Sequence, residues 1–148
     1  MCSKTSARTI KIGGCEALKG LYDARSIGVT RIVAPMIESA YALKKYLGCA
    51  KLSFPKDERQ DVSFLINIET QTGYNNFDEM LRLPEIAALD GIVLGRVDMV
   101  GSLGMNRDDI NHDRIFEMAK VLAIKCGSSQ EFVGSKVRMC KVRTPFRH

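Results

Sequence analysis

The sequence predicts an α/β fold built on a parallel sheet, and three observations carry that expectation. Four short apolar runs alternate with stretches of helical period, in the order β-α-β-α-β-α-β-α. The runs are continuously apolar rather than alternating, the mark of strands covered on both faces. Two neighbouring runs, 64–68 and 91–94, each end at a small cluster holding a carboxylate, Glu69 and Asp98. About one helix of sequence and Pro84 lie between them. Parallel strands joined in this way point the same way, so both acids fall at the end of the sheet where α/β proteins place their chemistry.

Each element has its own signal. Residues 9–12 form a short strand that ends at Gly13-Gly14. Residues 15–26 read as a helix, with Leu18, Leu21 and Tyr22 on one side and Gly28 as its stop. TRIVA (30–34) is the second strand, closed by Pro35. Ser39 is placed to cap a helix over 40–47, which Gly48 would end. Glu38, at a strand end, reads as a structural hydrogen-bonding group. Residues 51–61 are polar, contain Pro55 and read as a loop. A strand over 62–68, a helix over 75–83 and a strand over 91–94 follow. Glycines punctuate a loop at 101–105, and 113–125 is a helix with Ile115, Phe116, Met118, Ala119, Leu122 and Ala123 on its apolar side.

Bulk properties narrow the class. A chain of 148 residues suits one domain, and 45% hydrophobic with 26% charged residues is ordinary for a globular protein. No run reaches the roughly 18 apolar residues that span a bilayer. The amino terminus lacks the apolar core of a signal peptide, so the expected compartment is the cytoplasm. Cys2, Cys15, Cys49, Cys126 and Cys140 form no CxxC pair and have no histidine near enough for a zinc site; they read as free thiols. The net charge of +5 is uneven: residues 128–148 carry +4 and the other 127 residues only +1. The chain therefore divides into a 1–127 domain and a basic 128–148 segment. That segment shows no clear period and no obvious strand, and is expected to be a poorly ordered tail or sequence foreign to the domain. Weak binding of nucleic acid or an acidic surface through it is the least favoured function.

Three motifs in order, APMIES (34–39), INIET (66–70) and LGRVDMVGSLG (94–104), resemble the 2-keto-3-deoxy acid aldolase and citrate lyase β-subunit family of the phosphoenolpyruvate/pyruvate superfamily. The resemblance spans about residues 9–125. It implies a partial (β/α)8 TIM barrel of about four βα units, because a complete barrel needs about 250 residues. The strands resemble the third to sixth of the eight, and the general-base histidine of the family falls outside them; His112 and His148 do not match it. Arg96 departs from the family, where proline is commoner.

The resemblance also implies a chemistry. Glu69 and Asp98 would hold a divalent cation, Mg²⁺ or Mn²⁺, which prefers oxygen ligands and often takes only two protein carboxylates. The cation would stabilise a pyruvate enolate as a carbon–carbon bond breaks. Backbone N–H groups in a turn over 95–98, with Gly95, Val97, Asp98 and Ser102, would bind the substrate carboxylate. Lys11 stands where the family has an arginine that polarises the keto group, and Arg96 is placed to contact an anionic substrate. The expected partners are a 2-keto acid or an acyl-CoA and a second copy of the chain, with no membrane and with nucleic acid disfavoured. A truncated or inactive form is the favoured state of so short a barrel. The alternative function is a non-catalytic interaction module, or an oligomer subunit, that keeps the scaffold.

Overall fold

The computed structural model describes residues 8–127 in full and the backbone of 131–133 and 137–141. Four strands form the expected parallel sheet: β1 (Thr9–Lys11), β2 (Arg31–Ala34), β3 (Ser63–Ile68) and β4 (Gly91–Gly95). They pair in sequence order, with Lys11 opposite Val33, Val33 opposite Leu65, and Asn67 opposite Val93. Helices α1 (Leu18–Ile27), α2 (Ala40–Ser53), the short pair α3 (Gln71–Asn75) and α4 (Phe77–Leu81), then α5 (Arg96–Ser102) and α6 (Asp113–Lys125) fill the connections. The chain is an α/β fold of four parallel strands alternating with helices, part of a barrel.

The period-2 geometry of the strands sorts the core. Ile32, Ala34, Phe64, Ile66, Ile68, Ile92 and Leu94 face the helices and join the main core with Leu21 of α1, Leu43 and Tyr46 of α2 and Leu122 of α6. The alternate residues Val33, Leu65 and Val93 form a separate small cluster on the other face. Both sets are buried, which is why the runs read as continuously apolar. The Tyr46 hydroxyl, deep in the main core, donates to the Ile32 carbonyl at 3.1 Å, and burial pushes its pKa far up.

Several boundaries differ from the sequence expectation. Gly28 ends α1 in the left-handed region (φ 72°) and Ser39 caps α2 by accepting from the Ala42 N–H, both as expected. Gly48, however, does not stop α2. Cys49, Ala50 and Ser53 beyond it are all buried, and that packing carries the helix through a glycine that only its intrinsic propensity disfavours. The polar stretch read as a loop therefore starts inside α2 and includes a 3-10 turn, Glu58–Asp61. The single helix expected over 75–83 is two short ones broken at Asn76, whose side chain donates to the Glu38 carbonyl at 2.8 Å. Glu38 also accepts from the Thr70 hydroxyl at 2.7 Å, so it is the structural hydrogen-bonding group expected.

In the stretch where the sequence shows no obvious strand, β5 (Glu131–Val133) and β6 (Val137–Lys141) form an antiparallel hairpin. β6 pairs antiparallel with all five residues of β4. The backbone groups along β4's outer edge supply the partners that periodicity in the segment itself did not advertise. The remaining residues of the basic segment, and the Cys2 and His148 positions, lie outside the described residues. Cys15 and Cys49 are free thiols. No helix among the described residues is long and apolar enough to cross a membrane.

Arg25 ties α1 to the turn after α2. Its Nε and Nη2 both donate to the Glu58 carboxylate at 2.6 Å, a bidentate pair. The pair holds the Glu58 carboxyl below its ordinary value of 4.5. A depressed carboxylate pKa means stabilisation that is complete above the unfolded value and is lost as pH falls through the folded one. Glu58→Gln should lower the melting temperature at neutral pH and flatten its fall below pH 4.5. Parallel thermal melts of the two proteins across that range check it; an unchanged profile would show the pair contributes nothing.

Candidate active site at the carboxyl ends of the central strands

Glu69 follows the last residue of β3, and the Ile68–Leu94 register sets it beside Gly95, the last residue of β4. Its carboxylate is almost wholly buried, with 2% of the residue exposed. A buried charge of this kind needs partners, and three groups supply them. The Met36 N–H donates to Oε1 at 2.9 Å, and the Asn67 side-chain amide donates to Oε2 at 2.8 Å. The Lys11 ammonium lies 3.4 Å from Oε2, on a side chain that is half exposed. Lys11, Asn67 and Glu69 all project from the face that carries Val33, Leu65 and Val93, as the strand registers require.

Two backbone features make room for this carboxylate. Gly95 has no Cβ, and one built there would stand 2.5 Å from Glu69 Oε2 and 2.6 Å from its Cβ. Met36 adopts φ 51°, left-handed backbone that side-chain-bearing residues seldom take. In that conformation its N–H reaches Glu69.

Asp98 lies three residues beyond β4, exposed, in the first turn of α5. The two acids thus stand past the carboxyl ends of adjoining parallel strands, at one end of the sheet. The stretch 95–98, expected as a turn, begins a helix instead: α5 starts at Arg96 directly after β4 and includes Gly101 and Ser102. The N–H groups of Arg96, Val97 and Asp98 are in its first turn, where they have no partner within the helix.

The other expected residues divide. Lys11 and Gly95 are brought against Glu69. Ser102 ties the end of α5 to the start of α3, accepting from the Gln71 N–H at 2.9 Å and donating to the Met99 carbonyl at 2.8 Å. Val97 is exposed at the start of α5. Arg96 points elsewhere: its Nη1 donates to Asn111 Oδ1 at 2.6 Å and to the Ile110 carbonyl at 3.5 Å, on the 3-10 turn Arg107–Asn111. Asn67 was not singled out by the sequence, although it is the one amide in the apolar run SFLINI. Its Oδ1 is buried and has no hydrogen-bond partner among the described residues.

The donor chemistry suits a hard divalent cation: a buried carboxylate, a second carboxylate in the first turn of α5 and, beside the first, an amide oxygen with no partner among the described residues. Among the described residues no group of three or more histidine, cysteine or acidic side chains is gathered, so Asn67, substrate and water would complete any such set.

Known proteins resemble this chain in sequence and in fold. The family model HpcH/HpaI aldolase/citrate lyase matches residues 8–135. Pyruvate kinase of Lachancea kluyveri is 30% identical over 102 residues, covering 67% of this chain and 16% of that protein. Among solved structures, the citrate synthase SbnG superposes with a TM-score of 0.68 at 14% identity, covering 80% of this chain and 51% of its own. An HpcH/HpaI aldolase from Desulfitobacterium hafniense gives 0.63 at 15% identity, covering 80% and 52%. A family protein from Burkholderia cenocepacia gives 0.62 at 15%, covering 82% and 55%. The chain spans about half the length of these solved relatives.

Gly95→Ala tests the close approach directly. The added methyl must displace the Glu69 side chain or the β4 backbone, an overpacking that costs about 1–3 kcal/mol. Urea denaturation should show a loss of that size. Gly13→Ala, where an added Cβ meets nothing within 4 Å, serves as the reference and should cost much less.

Proposed function

The chain belongs to the HpcH/HpaI aldolase/citrate lyase family, and on that premise we propose that it carries the metal-binding half of a carbon–carbon lyase site for 2-keto acids. The single observation that supports this most is the buried Glu69 carboxylate, held at the end of β3 by the Met36 N–H and Asn67 and set against Gly95. A buried, hydrogen-bonded carboxylate, an adjacent amide oxygen with no partner among the described residues and a second acid in the first turn of α5 are oxygen donors of the kind a hard divalent cation takes.

In this reading Glu69 and Asp98 hold Mg²⁺ or Mn²⁺. The ion, when bound, supplies positive charge beside the oxygen on which an enolate develops. The chain's own groups do the rest. Met36 and Asn67 fix the Glu69 carboxylate, so little reorganisation is needed when a ligand arrives. The Val97 and Asp98 N–H groups, in the first turn of α5, receive the substrate carboxylate. Lys11 now pairs with Glu69 Oε2; its half-exposed side chain can swing out, leaving that oxygen to the cation and placing the ammonium near the keto group. Arg96, held by Asn111, braces the base of α5 rather than touching substrate. The substrate is a 2-keto acid or an acyl-CoA that yields the matching enolate. Turnover by this chain, which spans half the length of its solved relatives, is part of the proposal.

Thermal melts test the metal reading. Mn²⁺ with pyruvate should raise the melting temperature of the wild type, and Glu69→Gln should abolish that rise. Asp98→Asn should weaken it by about tenfold in metal concentration, the loss of one of two charged ligands. No rise with millimolar metal would favour a scaffold that serves in interaction only. Deuterium uptake into the pyruvate methyl group, followed by NMR, then asks separately whether bound pyruvate is enolised.

A further inference from the structure

At the opposite end of the sheet a cleft of about 260 Å³ opens between the end of α2, the turn after it and the 3-10 turn Pro84–Ala88. It lies beside Phe64, the second residue of β3, and Asp90, which immediately precedes β4. Five residues of extended strand, about 16 Å, separate Phe64 from Glu69. This cleft is therefore distinct from the candidate active site. One wall is apolar, with Leu47, Phe64 and alanines from α2 and the 3-10 turn. The polar lining is three cations, Lys51, Lys56 and Arg59, and one acid, Asp90.

The charge balance of the cleft is unusual. None of the three cationic side chains has an ion pair or hydrogen bond among the described residues. The nearby acids are engaged or do not line the cleft. Glu58 is taken by Arg25, and Asp57 and Asp61 do not line the cleft. Asp90 lines it, but its Oδ2 accepts from the Phe64 N–H at 2.7 Å. Lys51 in the last turn of α2 also offsets the negative end of that helix. That accounts for one cation of three and leaves the convergence of the others on an apolar wall unexplained.

We propose that this cleft binds a small phosphate ester with an apolar or aromatic group. Three cations on one rim match a dianion better than a monovalent carboxylate, and Arg59 offers the planar fork that suits phosphate oxygens. The wall formed by Leu47 and Phe64 gives the organic part of the ester a surface that bare phosphate would not use. The volume holds one ring and one phosphate group, not a dinucleotide.

The test is an amide-resolved NMR titration of the whole chain with phenyl phosphate, with inorganic phosphate and benzyl alcohol as references. Phenyl phosphate should shift the amides of Phe64, Ala87 and Ala88 saturably, inorganic phosphate should bind more weakly, and benzyl alcohol should not bind. Arg59→Gln and Lys56→Gln should each weaken phenyl phosphate by about tenfold, with spectra that otherwise overlay the wild type. Three results would overturn the proposal: no saturable shift of these amides at millimolar ligand, wild-type affinity in both variants, or benzyl alcohol binding as well as phenyl phosphate. Shifts confined to the basic 128–148 segment would count as the first of these. The Glu69→Gln protein should bind phenyl phosphate as the wild type does, so this result stands or falls apart from the lyase reading.

Discussion

Parallel pairing is the constraint from which the rest follows. A strand that must run beside its predecessor in the same direction needs a crossover, and the crossovers here are helices that bury one face of the sheet. The same rule delivers every strand's carboxyl end to one side. With Ile68 in register with Leu94, the residues that follow, Glu69 and the start of α5, have to share a small volume. Setting Glu69 and the first turn of α5 at one end of the sheet needs no special loop; it is what two parallel strands do.

What makes the place chemically distinct is the treatment of Glu69. A carboxylate with 2% of its residue exposed is solvated by the protein alone. The groups that solvate it come from three strands or their ends: Lys11 from β1, Met36 from just after β2, and Asn67 from β3 itself. Gly95, from β4, contributes by having no side chain. Each of the four parallel strands is thus committed to the same anion. The left-handed backbone at Met36 shows that the arrangement is held against a local preference, as happens where neighbouring structure over-determines a residue.

Strands β2, β3 and β4 were legible in the sequence because burial on both faces leaves an unbroken apolar run. Gly28 and Ser39 were legible because a left-handed stop and a hydroxyl cap are local devices. Gly48 misled because tertiary packing of Cys49, Ala50 and Ser53 outweighs a glycine's weak preference, and nothing local reports that packing. The division at Asn76 depends on the carbonyl of Glu38, far away in sequence. Strand β6 depends on an edge of β4, so its own residues gave little sign of it. Of the site, the two acids and Gly95 were visible through motif and position. Asn67 could have been found as the lone amide in an apolar strand, a residue type that needs a reason to be there. The direction of the Arg96 side chain could not, since it is fixed by a turn fourteen residues on.

The reversed hairpin on β4 has a topological consequence. A barrel grows by adding strands in one sense, each new stave beside the last. Next to β4 that berth is taken by β6, which runs the other way and satisfies the backbone groups a further parallel stave would require. Any polypeptide that extended the sheet beside β4 in the forward sense would first have to evict the hairpin, so closure there is an exchange of strands and not a simple addition.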